Sequence, residues 1–376
     1  MSTATIHDVA RKAKVSAGTV SRVLRRHPSV SSENLERVVH AIEALNYSYS
    51  PRKRRSEMSD GNPLAGKNVL MLFLGDERSI ISLPAVASVV RGVQSASDAA
   101  EADLTVIEVP SADHVPKVMS RKVFHGVILK GAFGGDLASA THPELLARLR
   151  ALPSVWVLGR AGEWGDVVQA NDMRIGAMAA DYLLERGHRR LAFVDPRPLH
   201  NLMRKSKGGR GEALQAQDAA RFSSSRRRQS SFSFFAREGG ADVKAYLGEP
   251  GSWPFPNPVV DRIEMVQGVI DKLLAERQPP TAIFTPLDSI GATVARALSA
   301  RGLQAGRDIS LMSCNNEQLL FMGIHPSLTT IDIHADEIGR RAVDQLAWRL
   351  MHDRDPMCEI AVEPTLVEGE SVVELT

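Results

Sequence analysis

The sequence predicts a two-part molecule: a small all-α headpiece, then an α/β body of two lobes with parallel, doubly wound sheets. Three observations predict it. Residues 5–47 show helical periodicity alone, strands and helices alternate from Lys67 onward, and a basic, proline-containing stretch separates the two patterns.

The headpiece begins at Thr5, whose hydroxyl can cap a helix, with Asp8 three residues on at the positive helix end. Ile6, Val9, Ala10 and Ala13 recur at helical spacing as one apolar stripe. Lys14-Val15 makes a turn, Ser16 caps a second helix to about Arg25, and Val20, Val23 and Leu24 face inward. Ala17, Gly18, Thr19, Ser21 and Arg22 are left outside. This is a helix-turn-helix pattern. A helix entering the major groove needs small residues at its start and one long donor for a guanine edge, here Arg22. Thr19, Ser21 and the amides after Ser16 suit phosphate oxygens. The same pattern also fits an ordinary capped helical hairpin. A third helix, capped by Ser31 or Ser32 and carrying Leu35, Val38, Val39, Ile42 and Leu45, favours the DNA reading because it closes a very small core.

Charge agrees. Residues 1–58 hold eleven Lys/Arg against five Asp/Glu, a net of +6, so with +2 for the whole chain the rest carries −4. A basic head on a mildly acidic body fits a polyanion-binding module joined to something else. Two cysteines, Cys314 and Cys358, have no metal-site spacing and suit a reducing compartment. No run approaches a membrane span and the polar start shows no signal peptide, so a cytoplasmic protein with no membrane partner is expected.

Ile6-His-Asp-Val-Ala, Val15-Ser16, Thr19-Val-Ser-Arg-Val-Leu24 and Ala44-Leu-Asn-Tyr47 closely resemble the headpiece of the lactose/galactose repressor (LacI/GalR) family, without a gap from Thr5 to Tyr47. The resemblance implies that Ala17, Gly18 and Arg22 face the bases. Two of these are nearly featureless, so direct readout leans on Arg22, and Gly18 weakens its helix by up to about 1 kcal/mol. Thr5, Ser16, Thr19, Ser21, Arg25 and Ser31 complete the expected headpiece contacts. Residues 51–66 form the expected linker, which the resemblance turns into a hinge helix on DNA. Here Arg55 stands where two such helices would touch, Arg52 and Arg55 can track phosphates, and Met58 is the apolar wedge candidate. A solvated tether is the plain alternative.

In the body, Asn68–Leu74, Leu104–Glu108, Gly126–Leu129, Val155–Leu158, Leu191–Val194, Ala282–Thr285, Ser310–Ser313 and Thr329–Asp332 read as strands. Pro84–Ala102, Pro143–Leu149, Ile175–Arg186, Val266–Glu276, Ile290–Arg301 and Asp336–His352 read as helices. About 300 such residues exceed one compact sheet, so two lobes with a cleft are expected. Phe124-His-Gly-Val-Ile128, Val157-Leu-Gly-Arg160, Gly187-His-Arg-Arg-Leu191, Arg301-Gly-Leu303, Asp308-Ile-Ser310 and Pro326-Ser-Leu-Thr-Thr-Ile331 resemble landmarks of that family's periplasmic-binding-protein-like effector domain. The expected boundaries are 1–50 for the headpiece and 67–376 for the body. Lobe 1 spans about 67–160 and 333–356, lobe 2 about 161–331 and 357–376.

Ligands of open parallel sheets bind beyond the C-terminal strand ends. There the resemblance points to Asn171, Arg204, Asp288 and Asn315 as effector contacts, Arg204 with Gly209 standing for the family's Arg…Gly-aromatic element. Ala170, Leu287 and Asn315 depart from the family's usual residues. For each, a helix-capping role is the plain alternative. His188, after Gly187 at a helix end, reads as a cap rather than a base. Residues 201–237, rich in Ser and Arg, read as a long surface loop, with phenylalanines over the cleft mouth as the alternative.

No phosphate loop, paired His/Cys spacing or nucleophile elbow is present, so no enzyme, metal or cofactor is expected. The implied function is a homodimeric transcriptional regulator, foremost a repressor. Its partners are a pseudo-palindromic duplex operator and a small effector, sugar or nucleoside-like. The alternatives are a periplasmic-type solute receptor with a vestigial headpiece and a sugar-processing enzyme with a regulatory head.

Overall fold

The computed structural model describes residues 6–16, 19–20, 23, 32–45, 62–75, 84–131, 141–160, 163–200, 224–251, 263–321, 323 and 325–375. The chain divides into two units, Met1–Asp60 and Gly61–Thr376.

In the first unit, α1 (Ile6–Ala13) and α2 (Ser32–Ala44) pack together, with residues 19–20 and 23 also helical. Val9, Ala10, Ala13, Val20, Val23, Val38 and Ala41 are buried as one cluster, edged by Val15, Ile42 and Leu45. Val39, expected in that stripe, is instead 42% exposed. The turn comes at Lys14, in left-handed backbone (φ 53°).

The second unit contains two six-stranded sheets. Sheet 1 consists of β1 (Asn68–Leu74), β2 (Asp103–Val109), β3 (Gly126–Gly131), β4 (Ser154–Val157), β5 (Asp166–Ala170) and β11 (Glu359–Val362), ordered β11-β5-β4-β3-β1-β2 and parallel throughout. Sheet 2 consists of β6 (Arg190–His200), β7 (Asp242–Gly251), β8 (Ala282–Phe284), β9 (Ser310–Cys314), β10 (Thr329–Asp332) and β12 (Thr365–Val367). Its order is β12-β10-β9-β8-β6-β7, and only β12 runs antiparallel. The first five strands of each sheet follow the same winding, so the second lobe repeats the first. The central strands β1, β3, β8 and β9 are buried almost throughout, as parallel sheets covered on both faces require.

The helices are α3 (Pro84–Ala99), α4 (Lys117–Arg121), α5 (Pro143–Arg150), α6 (Asp172–Glu185), α7 (Ser224–Glu238), α8 (Ile263–Leu274), α9 (Asp288–Ser299), α10 (Gln318–Phe321) and α11 (Ala335–Met351). α11 returns to lobe 1 and crosses α3 at two glycines. A Cβ at Gly92 would lie 1.9 Å from Asp336 O, and one at Gly339 would lie 2.1 Å from Val89 O. The chain passes between lobes three times: β5 to α6, β10 to α11, and β11 to β12. All three passes lie at the β11–β5 edge of sheet 1 and the β12–β10 edge of sheet 2.

Four expectations are corrected. Residues 62–66 belong to the body, not the linker: Leu64 is buried, Asn62 Nδ2 donates to Ala100 O, and Gly66 N donates to Glu101 O. β5 and β11, assigned to lobe 2, complete sheet 1. β5 hides in sequence because it starts on Asp166. This buried carboxylate is gripped by both Arg349 Nε (2.8 Å) and Nη2 (2.5 Å), by Gln345 Nε2 (2.7 Å) and by Cys358 N (2.8 Å). Such full pairing is what a buried ion needs. Finally, of the expected surface loop 201–237, residues 224–237 instead lie in α7 against α6, the rest lying outside the described residues, and Phe232 packs between Phe193 and Phe284 in the core instead of over a cleft mouth.

Candidate functional sites

In the headpiece, Ser16 does what its position predicts. Its Oγ accepts from Thr19 N (3.1 Å) and pairs with Thr19 Oγ1 (2.9 Å), while its carbonyl accepts from Val20 N (3.1 Å). That is an N-cap, and it sets where the second helix starts. Arg37 Nη2 donates to Lys14 O (3.0 Å), tying α2 to the turn. Ser16 is exposed. Thr5, Ala17, Gly18, Ser21, Arg22, Arg25, Ser31, Arg52, Arg55 and Met58 lie outside the described residues, as does Arg204.

At the C-terminal strand ends of lobe 2, polar side chains bind one another. Asp288 opens α9 fully buried. Its Oδ1 accepts from Ser313 Oγ (2.5 Å) and Thr330 Oγ1 (2.7 Å), and its Oδ2 from Glu317 N (2.7 Å). Burial pushes its pKa up to about 7, against the pull of these donors. Asn315, just beyond β9, has φ 117° and its Oδ1 accepts from Arg228 Nη1 (3.2 Å). Arg228 also donates to Pro286 O (2.6 Å) and to Asp172 Oδ1 (2.7 Å). The neighbouring Arg227 donates to Asp172 Oδ2 (2.7 Å) and Gln169 Oε1 (2.5 Å). The structure thus joins Asp172, Arg228 and Asn315 directly, with Asp288 alongside in the α9 start.

Asn171 follows the plain alternative. It caps α6 through Arg174 N (3.1 Å), while its Nδ2 donates to Glu363 Oε1 (2.7 Å). It therefore ties the β5–α6 crossover to the β11–β12 crossover. His188 caps the end of α6 through its backbone, its N donating to Leu183 O (3.1 Å) beside Gly187 N to Leu184 O (3.0 Å). Buried, its ring bridges Thr281 Oγ1 (2.9 Å) and Val373 O (3.0 Å), fastening the C-terminal segment, and burial lowers its pKa.

Sequence reasoning missed Arg227 and Arg228. A signal was present: Arg228, then Ser231-Phe232, gives the order arginine, small residue, aromatic. The small residue is needed because Gly176 on α6 meets α7 there; a Cβ on Gly176 would lie 2.7 Å from Ser231 Cβ. In Arg204…Gly209 the residue after the glycine is Arg210, not an aromatic.

Direct bonds join the lobes at the strand ends: Arg227 of lobe 2 reaches Gln169 of β5, and a second bond involves α3. Glu317 Oε1 accepts from Ala85 N (3.1 Å) in the first turn of α3, where a carboxylate meets the positive helix end.

Comparison with known proteins agrees with this architecture. Residues 5–50 match the family described as bacterial regulatory proteins, lacI family, and residues 180–372 match the periplasmic binding protein-like domain. The HTH-type transcriptional repressor PurR of Photorhabdus laumondii is 27% identical over 379 residues, covering 99% of this chain and 97% of the relative. PurR of Escherichia coli O139:H28 is 28% identical over 380 residues, with the same coverage. Among solved structures, a transcriptional regulator CelR–cellobiose complex aligns with TM-score 0.62 at 19% identity, covering 98% of this chain and 100% of that one. The lac repressor dimer bound to operator and the anti-inducer ONPF aligns with TM-score 0.58 at 18% identity, covering 99% and 100%. The relatives named as repressors align through the headpiece as well as the body, so the solute-receptor alternative is not favoured. The chain belongs to the lacI family of bacterial regulatory proteins: it is a DNA-binding transcriptional regulator with a helix-turn-helix headpiece and a two-lobed, periplasmic-binding-protein-like effector domain.

Proposed function

We propose that this regulator acts in the cytoplasm as a homodimeric repressor, its two headpieces reading successive major grooves of a pseudo-palindromic operator. The observation that carries this is Ser16 acting as N-cap beside the buried headpiece core, within the lacI-family match over residues 5–50. Arg22 is assigned the base contact. Thr5, Ser16, Thr19, Ser21, Arg25 and Ser31 hold phosphates, and Arg52, Arg55 and Met58 act at the minor groove. The effector, a small polar metabolite, sits between the lobes at the strand ends that Asn171, Asp288 and Asn315 mark, with Arg228 in the role expected of Arg204. Its unequal affinity for open and closed lobes shifts the spacing of the headpieces.

The test uses duplexes selected from random sequence by the wild-type protein. Arg22→Ala should lose about 1–3 kcal/mol on selected sites while keeping most of its salt-dependent affinity for random DNA. Undiminished discrimination in that variant would remove Arg22 from the reading surface.

A further inference from the structure

The polar groups of lobe 2 satisfy one another, but those at the facing end of lobe 1 do not. Arg160 follows β4 at its C-terminal end. The chain reaches it through two residues in left-handed backbone, Leu158 (φ 57°) and Gly159 (φ 112°). For leucine that conformation is costly, and such strain gathers where a loop presents a functional group. Arg160 Nε is buried without a hydrogen-bond partner, and among the described residues no carboxylate pairs with this guanidinium. Two more buried, unpartnered polar atoms occur at the same sheet end. They are Thr141 Oγ1 and His142 Nδ1, on the segment leading from β3 into α5, and β3 is the strand beside β4.

The acids at the strand ends are otherwise engaged. Asp172 is held by Arg227 and Arg228, and Asp195 by Arg197 and Ser225. Asp288 is enclosed by hydroxyls and a backbone amide, and Glu317 is bonded to Ala85 N. None of them compensates Arg160. A neutral ligand would leave a partly buried positive charge uncancelled; an anion supplies charge and acceptors together. We propose that the effector is anionic, a small metabolite bearing a phosphate or carboxylate that pairs with Arg160 at the lobe 1 side of the cleft. This rests on the proposal that the effector lies between the lobes, and adds the chemical class of the ligand and the residue that selects it.

The experiment is calorimetric and thermal-shift titration of the full chain with glucose, glucose 6-phosphate, glucuronate and inorganic phosphate. Wild type, Arg160→Gln, Arg160→Lys and Asn315→Ala are compared. At least one anion should stabilise the wild type where glucose does not. Glucose 6-phosphate against glucuronate separates phosphate from carboxylate, and inorganic phosphate shows whether the anion alone suffices. Arg160→Gln should weaken anion binding at least tenfold, Arg160→Lys less, and unliganded Arg160→Gln should melt no lower than wild type. Equal response to glucose and glucose 6-phosphate, or an anion response intact in Arg160→Gln, overturns the assignment. If glucose alone binds and Asn315→Ala abolishes it, the anionic class fails while the cleft as effector site stands. Silence to all three anions also counts against the proposal.

Discussion

Asp288 shows how a residue marked by sequence changes meaning once its surroundings are known. Its position after a strand suggested a hand for the ligand, but every near neighbour that donates to it belongs to the protein. Because its folded pKa, about 7, is raised above the ordinary aspartate value of 3.8, the folded state holds this proton through a window in which the unfolded chain has lost it. Stability from this group is full below pH 4 and falls as pH rises toward 7, by about 1.4 kcal/mol per pH unit inside that window. Urea unfolding of wild type and Asp288→Asn at pH 5, 6, 7 and 8 checks this. The stability difference, wild type minus variant, should decline from pH 5 to 7 and level off above; a flat difference would mean that the carboxylate titrates normally. Much of the headpiece was legible at this scale, since Ser16, Val9, Ala13, Val20 and Val38 obey local spacing. Arg228 was not. Its role depends on Asp172, Pro286 and Asn315, which lie 56 to 87 residues away in the chain.

Among the elements, strands with unbroken apolar runs were readable, and those with buried charge were not. β1 is Asn-Val-Leu-Met-Leu-Phe-Leu and announces itself; β5 carries Asp166 and Gln169, which make sense only beside Arg349, Arg227 and Glu359. α7 reads as polar because its serines and arginines are the buried side: Arg228, Ser231, Phe232, Ser233 and Ala236 face inward, while Phe234 is exposed. The α3–α11 crossing gives a sharper prediction. Gly339→Ala places a methyl against backbone that cannot yield as a side chain would, so about 1–3 kcal/mol of stability should be lost. Denaturation midpoints decide it. An alanine variant as stable as wild type would show that the two helices do not approach this closely.

For the whole effector domain, two sheets of the same winding face each other with their strand ends, and the sequence indicated this through alternation alone. What it did not show was which strand belonged to which sheet, because the late crossovers interleave them. The bond from Ala85 to Glu317 joins the lobes away from the β11 and β12 edge strands, linking the segments that follow β1 and β9. Glu317→Ala should raise hydrogen exchange at the start of α3 severalfold while α11 keeps its protection. Unchanged exchange at residues 84–90 would show that this bond does not hold the lobes together. The three interlobe passes carry a mechanical consequence of their own. A lid tied to its box by three cords along one side swings about that side, but it does not slide, lift or spin. Whatever enters the gap is therefore felt as a single angle, and one angle is all that a rotation-reading pair of headpieces would have to receive.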